Sequence, residues 1–427
     1  MASPHHGLIL RNARLAAPGS ETPRACDIAI ADGAIAQIAG RIDASADQEI
    51  ECAGRLVSPP LVESHIHLDS VFTDDGATRG PASNRSGTLF EGIRLWADWK
   101  QSITRADVVE RATRAVKQLC TLGVTHIRTH ADVSEPTLKL LDALLEVRQN
   151  VRSFATVQVV AFPQDGIFAV ARGRELLEEA AKRGVDAIGA IPHAELCRED
   201  GVRSVHVAFD LANQHDKLID IHCDEVDDPQ SRFLEVMNAR AIADGNGARV
   251  TASHTTAFGS YDNGYAVKLL GRLRQGGINF VANPLINIHL QGRADTYPKR
   301  RGITRVPELL DAGLNVSLGH DCIQDPWYAL GTGSMLDVAH MAAHVCHLMT
   351  LPQINACFDM ICWGGATTLN VRDRFEIQPG APANLVVHSA SSKFDAIRLR
   401  QPPAHVIHKG RLIASNAPAS ATFTASE

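Results

Sequence analysis

The chain has 427 residues, of which 45% are hydrophobic, and it carries a formal net charge of −6 with a pI of about 6.3. This length and apolar content suit one large buried core with a smaller unit attached. A weakly acidic chain lacks the positive electrostatic potential with which proteins bind along a phosphate backbone. The one dense basic run, at residues 299–301, is short. We therefore expect no nucleic-acid partner.

The cysteines and the apolar runs indicate the compartment. Nine cysteines, an odd number without a C-x-x-C pair, do not suit a disulfide framework or a structural zinc site. No apolar run approaches the roughly 20 residues that span a bilayer. The stretch MASPHHGLIL lacks the charged start and long apolar centre of a signal peptide. We expect a cytoplasmic protein with reduced thiols and no membrane partner.

Both ends of the chain show short β-type stretches separated by turn residues. GLILRNARL, DIAIADGAIAQIA and EIECAGRLVSPP occur in the first 60 residues, and ANLVVHS and HVIHKGRLIAS occur near the other end. These patterns predict a small, mainly antiparallel β-sandwich built from both termini. We place this composite domain at residues 1–58 and 376–427.

The region between the ends, residues 59–375, alternates apolar strand candidates with amphipathic helical stretches. Eight strand candidates occur in order, and segments such as RADVVERATRAVKQLCTLG and GRELLEEAAKRG separate them. Gly123, Gly184, Gly277 and Gly313 stand where helices should end before the next strand. Eight β/α units in succession predict an α/β fold, a (β/α)8 barrel of the TIM type.

Polar residues occur at the end of nearly every strand candidate, where the active site of such a barrel lies. In chain order they are His65, His67, His130, Gln164, His193, His222, Glu225, His254, Asn283 and Asp321. His65 and His67 alternate along one strand, so both imidazoles point to the same side. With His222 and Asp321 they form a set of three nitrogens and one oxygen that suits Zn²⁺ or Fe²⁺.

Two further patterns limit the metal chemistry. The stretch PHAE at 192–195 contains the H-x-E that opens the signature of another class of zinc deaminases, but the chain lacks the P-C-x-x-C that completes it. No Lys ends the fourth strand to bridge two ions, so we expect one divalent ion. His193 is expected either to support a ligand residue or to support the structure, and His130 receives no role.

Several motifs resemble those of the bacterial cytosine deaminases of the amidohydrolase superfamily, and the resemblance covers nearly the whole chain. The motifs include VESHIHLDS, VAFPQDGI, IDIHCDEVDDPQSRF, ARVTASHTTA and GHDCIQDPWYALGTGSMLDVAHM. The resemblance implies a metal-dependent barrel with a flanking β-sandwich, acting on a free nucleobase. It also implies a homo-oligomer, for which a hexamer is one form.

The resemblance also implies roles for individual residues. The metal ligands would be His65, His67, His222 and Asp321. Gln164 would read the amide edge of the pyrimidine, Glu225 would face N3, His254 would lie beside the activated water, and Trp327 would form a wall of the pocket. The chemistry agrees, because an amide side chain both donates and accepts hydrogen bonds, while Asp321 and Glu225 can move protons.

Cys322 departs from the pattern of these deaminases, in which a second Asp follows the metal-binding Asp near C5 of the ring. A thiol removes that charge and leaves apolar space for a methyl group, whose burial stabilises by about 0.8 kcal/mol. The alternative of a nucleophilic Cys322 is disfavoured because no base is paired with it in the sequence.

The sequence therefore predicts hydrolytic deamination of 5-methylcytosine to thymine and of cytosine to uracil, with release of ammonia. Another amino-heterocycle, such as isoguanine or creatinine, is an alternative substrate. A barrel scaffold without catalysis is an alternative of a different class, but the intact set of ligand residues argues against it. A ring-opening cyclic amidase is weaker still, since such enzymes commonly use two metals.

Overall fold

A computed structural model of the protein describes residues 5–74, 84–418, 422 and 424. Its first part is a run of five strands, β1 (His5–Leu15), β2 (Arg24–Ala31), β3 (Ala34–Ala39), β4 (Ser45–Glu51) and β5 (Leu56–Ser58). β1, β2 and β3 pair antiparallel, whereas β1 pairs parallel with both β4 and β5. The sheet is therefore mixed, although the sequence predicted an antiparallel one, because β4 and β5 return along β1 in its own direction.

The next eight strands form one parallel sheet whose members are neighbours in chain order. They are β6 (Leu61–Ile66), β7 (Val124–Asp132), β8 (Thr156–Phe162), β9 (Ala187–Ile188), β10 (Leu218–Cys223), β11 (Val250–His254), β12 (Asn279–Ala282) and β13 (Val316–Leu318). A parallel bridge between Ile66 and Asp321 brings the last strand beside the first. Each predicted stretch contains one of these strands, so the predicted barrel is confirmed.

Helices connect the strands and cover the outside of the barrel. They are α1 (Leu89–Ser102), α2 (Arg105–Thr121), α3 (Lys139–Val151), α4 (Gly173–Ala181), α5 (Arg198–His215), α6 (Phe233–Asp244), α7 (Asn263–Gly276), α8 (Pro284–Leu290), α9 (Val306–Asp311), α10 (Met335–Val345), α11 (Leu351–Asp359), α12 (Gly365–Thr368) and α13 (Lys393–Leu399). The four glycines predicted to follow helices all have left-handed φ angles, between 63° and 88°.

The chain returns to the first sheet with three final strands, β14 (Leu385–Val387), β15 (His405–His408) and β16 (Arg411–Ser415). β14 pairs antiparallel with β5, so strands from both ends share one sheet, as predicted. Its apolar residues form a core separate from that of the barrel. β5 ends at Ser58 and β6 begins at Leu61. The predicted division into 1–58 with 376–427 and 59–375 stays a prediction.

The inside of the barrel is unusually polar. Arg128 of β7 is fully buried and donates from Nη1 to Oδ2 of Asp220 at 3.0 Å, an ion pair with no exposed side-chain surface. Its guanidinium also donates to Gln158 Oε1 and to Thr251 Oγ1, and at 2.8 Å to the carbonyl of Thr368. This network joins strands β7, β8, β10 and β11 to the segment that follows β13.

Replacement of Arg128 by Met should destabilise the protein strongly, because it leaves the Asp220 carboxylate buried without its charge partner. We expect a loss of about 3–5 kcal/mol, seen as a lower midpoint of thermal unfolding. The double variant Arg128→Met, Asp220→Leu is the matched control, since it removes both charges, and it should recover more than half of the lost midpoint. A double variant as unstable as the single one would contradict the role of the ion pair.

Candidate active site

Three imidazoles and one carboxylate meet at the carboxyl end of the barrel. His65 and His67 lie at the end of β6, and His222 lies near the end of β10. The Nε2 atom of His222 is 3.2 Å from that of His65 and 3.1 Å from that of His67. Asp321, which follows β13, places Oδ1 at 3.6 and 3.5 Å from the same two atoms. Four atoms bound tetrahedrally to one ion at about 2.1 Å would be about 3.4 Å apart, so this spacing suits a single metal ion.

The protonation of this cluster also suits a cation. Burial, reinforced by neighbouring imidazoles, lowers the pKa values of His65, His67 and His222 well below the ordinary value. The three rings are therefore neutral. Neutral imidazole is the form that coordinates metals. The donor set therefore fits one divalent ion.

A hydrogen-bonded chain fixes the orientation of His65. Ser253 Oγ donates to Asp220 Oδ1 at 2.7 Å, and His65 Nδ1 lies 3.0 Å from the same hydroxyl. Because Ser253 donates its hydroxyl proton to Asp220, Nδ1 of His65 must be the donor in its hydrogen bond with the Ser253 hydroxyl. The proton of His65 thus resides on Nδ1, and the Nε2 lone pair faces the cluster.

The backbone around Asp321 is held in an uncommon conformation. Asp321 has a φ of 74°, in the left-handed region that non-glycine residues seldom adopt. Its N–H donates to the His65 carbonyl at 2.9 Å, and its own carbonyl accepts from the N–H of His67 at 3.0 Å. The buried Glu63 carboxylate accepts from the N–H groups of His65 and His320. These bonds between the first and last strands aim the Asp321 carboxylate at the imidazoles.

A narrow cavity of about 20 Å³, here called the inner cavity, lies above the cluster. Its lining consists of His67, Leu89, Gln164, His222, Glu225, His254, Ile286, Leu290, Asp321, Cys322 and Trp327. The structure thus brings every residue to which the sequence assigned a site role into one place, with His65 directly beneath.

Glu225 and His254 face each other across the inner cavity. Oε1 of Glu225 lies 3.2 Å from Nδ1 of His254, and Nε2 of His254 lies 3.8 Å from Oδ2 of Asp321. The side-chain amides of Asn283 and Asn287 also approach His254 Nδ1, at 3.2 and 3.0 Å. These donors favour a lone pair on Nδ1 and a proton on Nε2, which also lies 3.3 Å from Nε2 of His65. Burial raises the pKa of Glu225 to about 8, so at neutral pH this side chain carries a proton.

Gln164 and Trp327 form the part of the wall suited to a flat polar ring. Gln164 is buried and lines the inner cavity. Trp327 is held by a bond from Nε1 to the Leu89 carbonyl at 3.3 Å and by its N–H to Asp325 Oδ1 at 3.1 Å. The Gln164 amide suits a ring edge that also carries one donor and one acceptor.

Cys322 contributes a small uncharged surface to the inner cavity. Its side chain is buried beside Asp321 and Asp325. Burial and these two carboxyl groups raise the pKa of the thiol well above its ordinary value. The thiolate is therefore disfavoured, which argues against Cys322 as a nucleophile.

The two histidines without an assigned chemical role lie outside the lining of the inner cavity. The His130 ring packs beneath the cluster, 4.0 Å from the His65 ring centre, and its Nε2 lies 3.6 Å from Asp220. Neither ring nitrogen of His193 has a hydrogen-bond partner in the described part of the chain, and His193 borders a second, wider cavity.

The model of the amidohydrolase family matches residues 48–414, most of the chain. The chain belongs to the amidohydrolase family. The crystal structure of 5-methylcytosine deaminase from Klebsiella pneumoniae, liganded with phosphonocytosine, is similar with a TM-score of 0.92 and 42% identity. The alignment covers 97% of this chain and 100% of that one. The predicted resemblance is confirmed.

Two curated relatives show how varied the chemistry of similar amidohydrolases is. N-isopropylammelide isopropyl amidohydrolase from Pseudomonas sp. (strain ADP) is 29% identical, over 95% of this chain and 96% of the relative. Pterin deaminase from Rhizobium rhizogenes (strain K84 / ATCC BAA-868) is 27% identical, over 94% of this chain and 90% of the relative. Among the described helices of this amidohydrolase, none is long and apolar enough to cross a membrane.

Three residues of the amidohydrolase site were missed in the sequence, namely Leu89, Ile286 and Leu290. Leu89 is the first residue of α1, and its position depends on how that helix packs over the barrel. Ile286 and Leu290 lie four residues apart on α8, a spacing that places both on one face. That spacing was the available signal for an apolar helix face, but only the structure shows that this face lines the inner cavity.

Proposed function

We propose that the protein is a metal-dependent deaminase of free pyrimidine bases, converting 5-methylcytosine to thymine and cytosine to uracil with release of ammonia. The observation that carries the proposal is the inner cavity, which has a four-atom metal cluster at one end and Cys322 in its wall. The similar Klebsiella pneumoniae enzyme is a 5-methylcytosine deaminase, which supports the same substrate here.

The proposed cofactor is one divalent ion, Zn²⁺ or Fe²⁺, held by His65, His67, His222 and Asp321. When bound, such an ion lowers the pKa of a water molecule to about 7 and so supplies a nucleophile at neutral pH. A homo-oligomer stays a prediction.

The side chains around the ring would then divide the remaining work. Gln164 binds the carbonyl and N–H edge of the base, and Trp327 covers one face. Glu225, protonated at neutral pH, donates its proton to N3 as C4 becomes tetrahedral. Asp321 receives a proton from the attacking water. His254 donates from Nε2 to the developing charge, and its distance of 3.8 Å from Asp321 allows this.

The proposal is tested by incubating the purified protein with free cytosine, 5-methylcytosine, isoguanine and creatinine, and measuring ammonia and the oxo product. We expect 5-methylcytosine and cytosine to be substrates. Turnover of isoguanine or creatinine alone would replace the pyrimidine proposal with another amino-heterocycle. No turnover of any base with full metal content would contradict a deaminase.

Removal of a ligand should abolish metal binding. His222→Ala is expected to lose both the ion and activity, because three remaining ligand atoms bind far more weakly than four. Metal content per chain, measured by elemental analysis, checks this. His193→Ala is the matched control, since it removes a half-buried histidine that lies outside the cluster, and it should keep about one ion per chain. Full activity of metal-free protein would contradict the proposed cofactor.

Ser253→Ala offers a graded version of the same test. It retains every proposed ligand but removes the acceptor for His65 Nδ1, so the ring loses its fixed orientation. We expect roughly 10- to 100-fold weaker metal binding, measured by competition with a chelator.

Glu225→Gln should lower turnover by roughly 10²-fold or more, because the amide has the same shape but cannot transfer a proton. Metal content should not change, since Glu225 is not among the proposed ligands. Steady-state kinetics with cytosine measure the effect. A variant that deaminates at the parental rate would remove Glu225 from the mechanism.

Cys322→Asp should shift specificity from 5-methylcytosine toward cytosine, because the methyl group would then press against a desolvated charge. We expect the ratio of kcat/KM for the two bases to fall by about 10- to 200-fold. Cys322→Asn is the matched control, because it has the shape of Asp without the charge, and it should show a smaller change. Metal content is measured in both variants because Asp321 is adjacent. An unchanged ratio would make Cys322 a packing residue only.

A further inference from the structure

A second cavity, here called the outer cavity, adjoins the inner one and has a volume of about 610 Å³. Leu89, Glu225 and Leu290 line both cavities, so they mark the passage between the two. Gln164, Cys322 and the metal cluster contribute nothing to the outer lining. The inner cavity therefore opens into the outer cavity on its Glu225 side. Cys322 lines only the inner cavity, so no such opening lies beside it.

The ring orientation of the proposed function decides which substituent faces the passage. The exocyclic nitrogen on C4 is flanked by N3 on one side and by C5 on the other. With N3 at Glu225, a substituent on that nitrogen lies on the Glu225 side when it is syn to N3. C5 lies on the opposite side of C4, against Cys322. A group attached to the exocyclic nitrogen would consequently extend toward the outer cavity, but a group on C5 would stay within the inner one.

The outer cavity has a chemical character suited to an alkylamine. Phe90, Phe233 and Leu290 supply apolar surface, and 58% of Phe90 is exposed. Such surface favours an alkyl group.

The charges in the outer lining nearly cancel. Glu225 is protonated at neutral pH, and Asp227 lies 3.7 Å from Arg300. The two remaining carboxylates, Glu195 and Asp228, face two arginines, Arg198 and Arg293. The apolar surface therefore decides which substituent the outer cavity suits.

We propose that the enzyme also hydrolyses N4-alkylcytosines and releases the alkylamine through the outer cavity. Water adds its oxygen to C4, and the bond from C4 to the exocyclic nitrogen breaks. The oxygen remains as the C4 carbonyl, one water proton remains on N3, and the other leaves with the amine. The products are uracil and a primary alkylamine, so no oxidant or further reactant is required. The inference rests on the proposed function, because it uses the same ring orientation.

The test compares cytosine with N4-methylcytosine and N4-isopropylcytosine on the metal-loaded enzyme, measuring uracil and the free amine. We expect kcat/KM for both N4-alkyl bases to exceed about one-hundredth of the cytosine value. A fall of up to about 100-fold is what one added group in an apolar pocket ordinarily causes. The control base, 5-isopropylcytosine, carries the same group at C5 and should fall below this limit.

The outcomes separate the two proposals. If cytosine is deaminated while both N4-alkyl bases fall below the limit, the outer cavity does not receive the amine substituent, and the proposed function survives. If cytosine and 5-methylcytosine are not substrates at all, both proposals fail.

Two variants locate the alkyl group. Val226→Phe and Ala294→Trp add bulk at residues that line the outer cavity but not the inner one. Each should lower kcat/KM for N4-isopropylcytosine by about 10-fold or more and change that for cytosine by less than about threefold. Because Ala294 is exposed, its replacement should fold even if that of Val226 does not. An equal fall for both bases in the two variants would overturn the proposal.

Discussion

The close approach of three neutral imidazoles in a buried space is the constraint on which the site depends. The Nε2 atoms of His65 and His67 each approach that of His222 to within 3.2 Å, far from solvent. Rings held in this way need a fixed tautomer and a rigid backbone. The barrel provides both, through the chain from Asp220 and Ser253 to His65 and through the hydrogen bonds that join the first strand to Asp321.

The polar interior of the barrel follows from this constraint. Asp220 must stay ionised to accept from Ser253, although it is fully buried. Arg128 supplies the compensating charge at 3.0 Å and is itself satisfied by a glutamine, a threonine and a carbonyl. A buried ion pair contributes little net stability compared with apolar packing. Here the ion pair serves to hold the Asp220 carboxylate, which orients His65 through Ser253.

Burial also divides the acidic groups of the site into different roles. The high pKa of Glu225 keeps a proton available near neutrality, while the high pKa of the Cys322 thiol keeps that residue uncharged. A protonated carboxyl group next to N3 and a neutral wall at C5 suit a substrate that must be protonated at one atom and carries a methyl group near another. The same desolvation thus serves the proposed chemistry and the proposed specificity.

The sequence by itself determined the eight β/α units, the sheet shared by both termini, and the residue types at the strand ends. Local periodicity carries this information, since alternation along a strand sends His65 and His67 to one side. Only the tertiary structure decided that Leu89, Ile286 and Leu290 close the cavity, that His130 lies beneath it, and that Glu225 holds a proton. These features depend on contacts between segments far apart in the chain and on the exclusion of water, and no local pattern of residues encodes either.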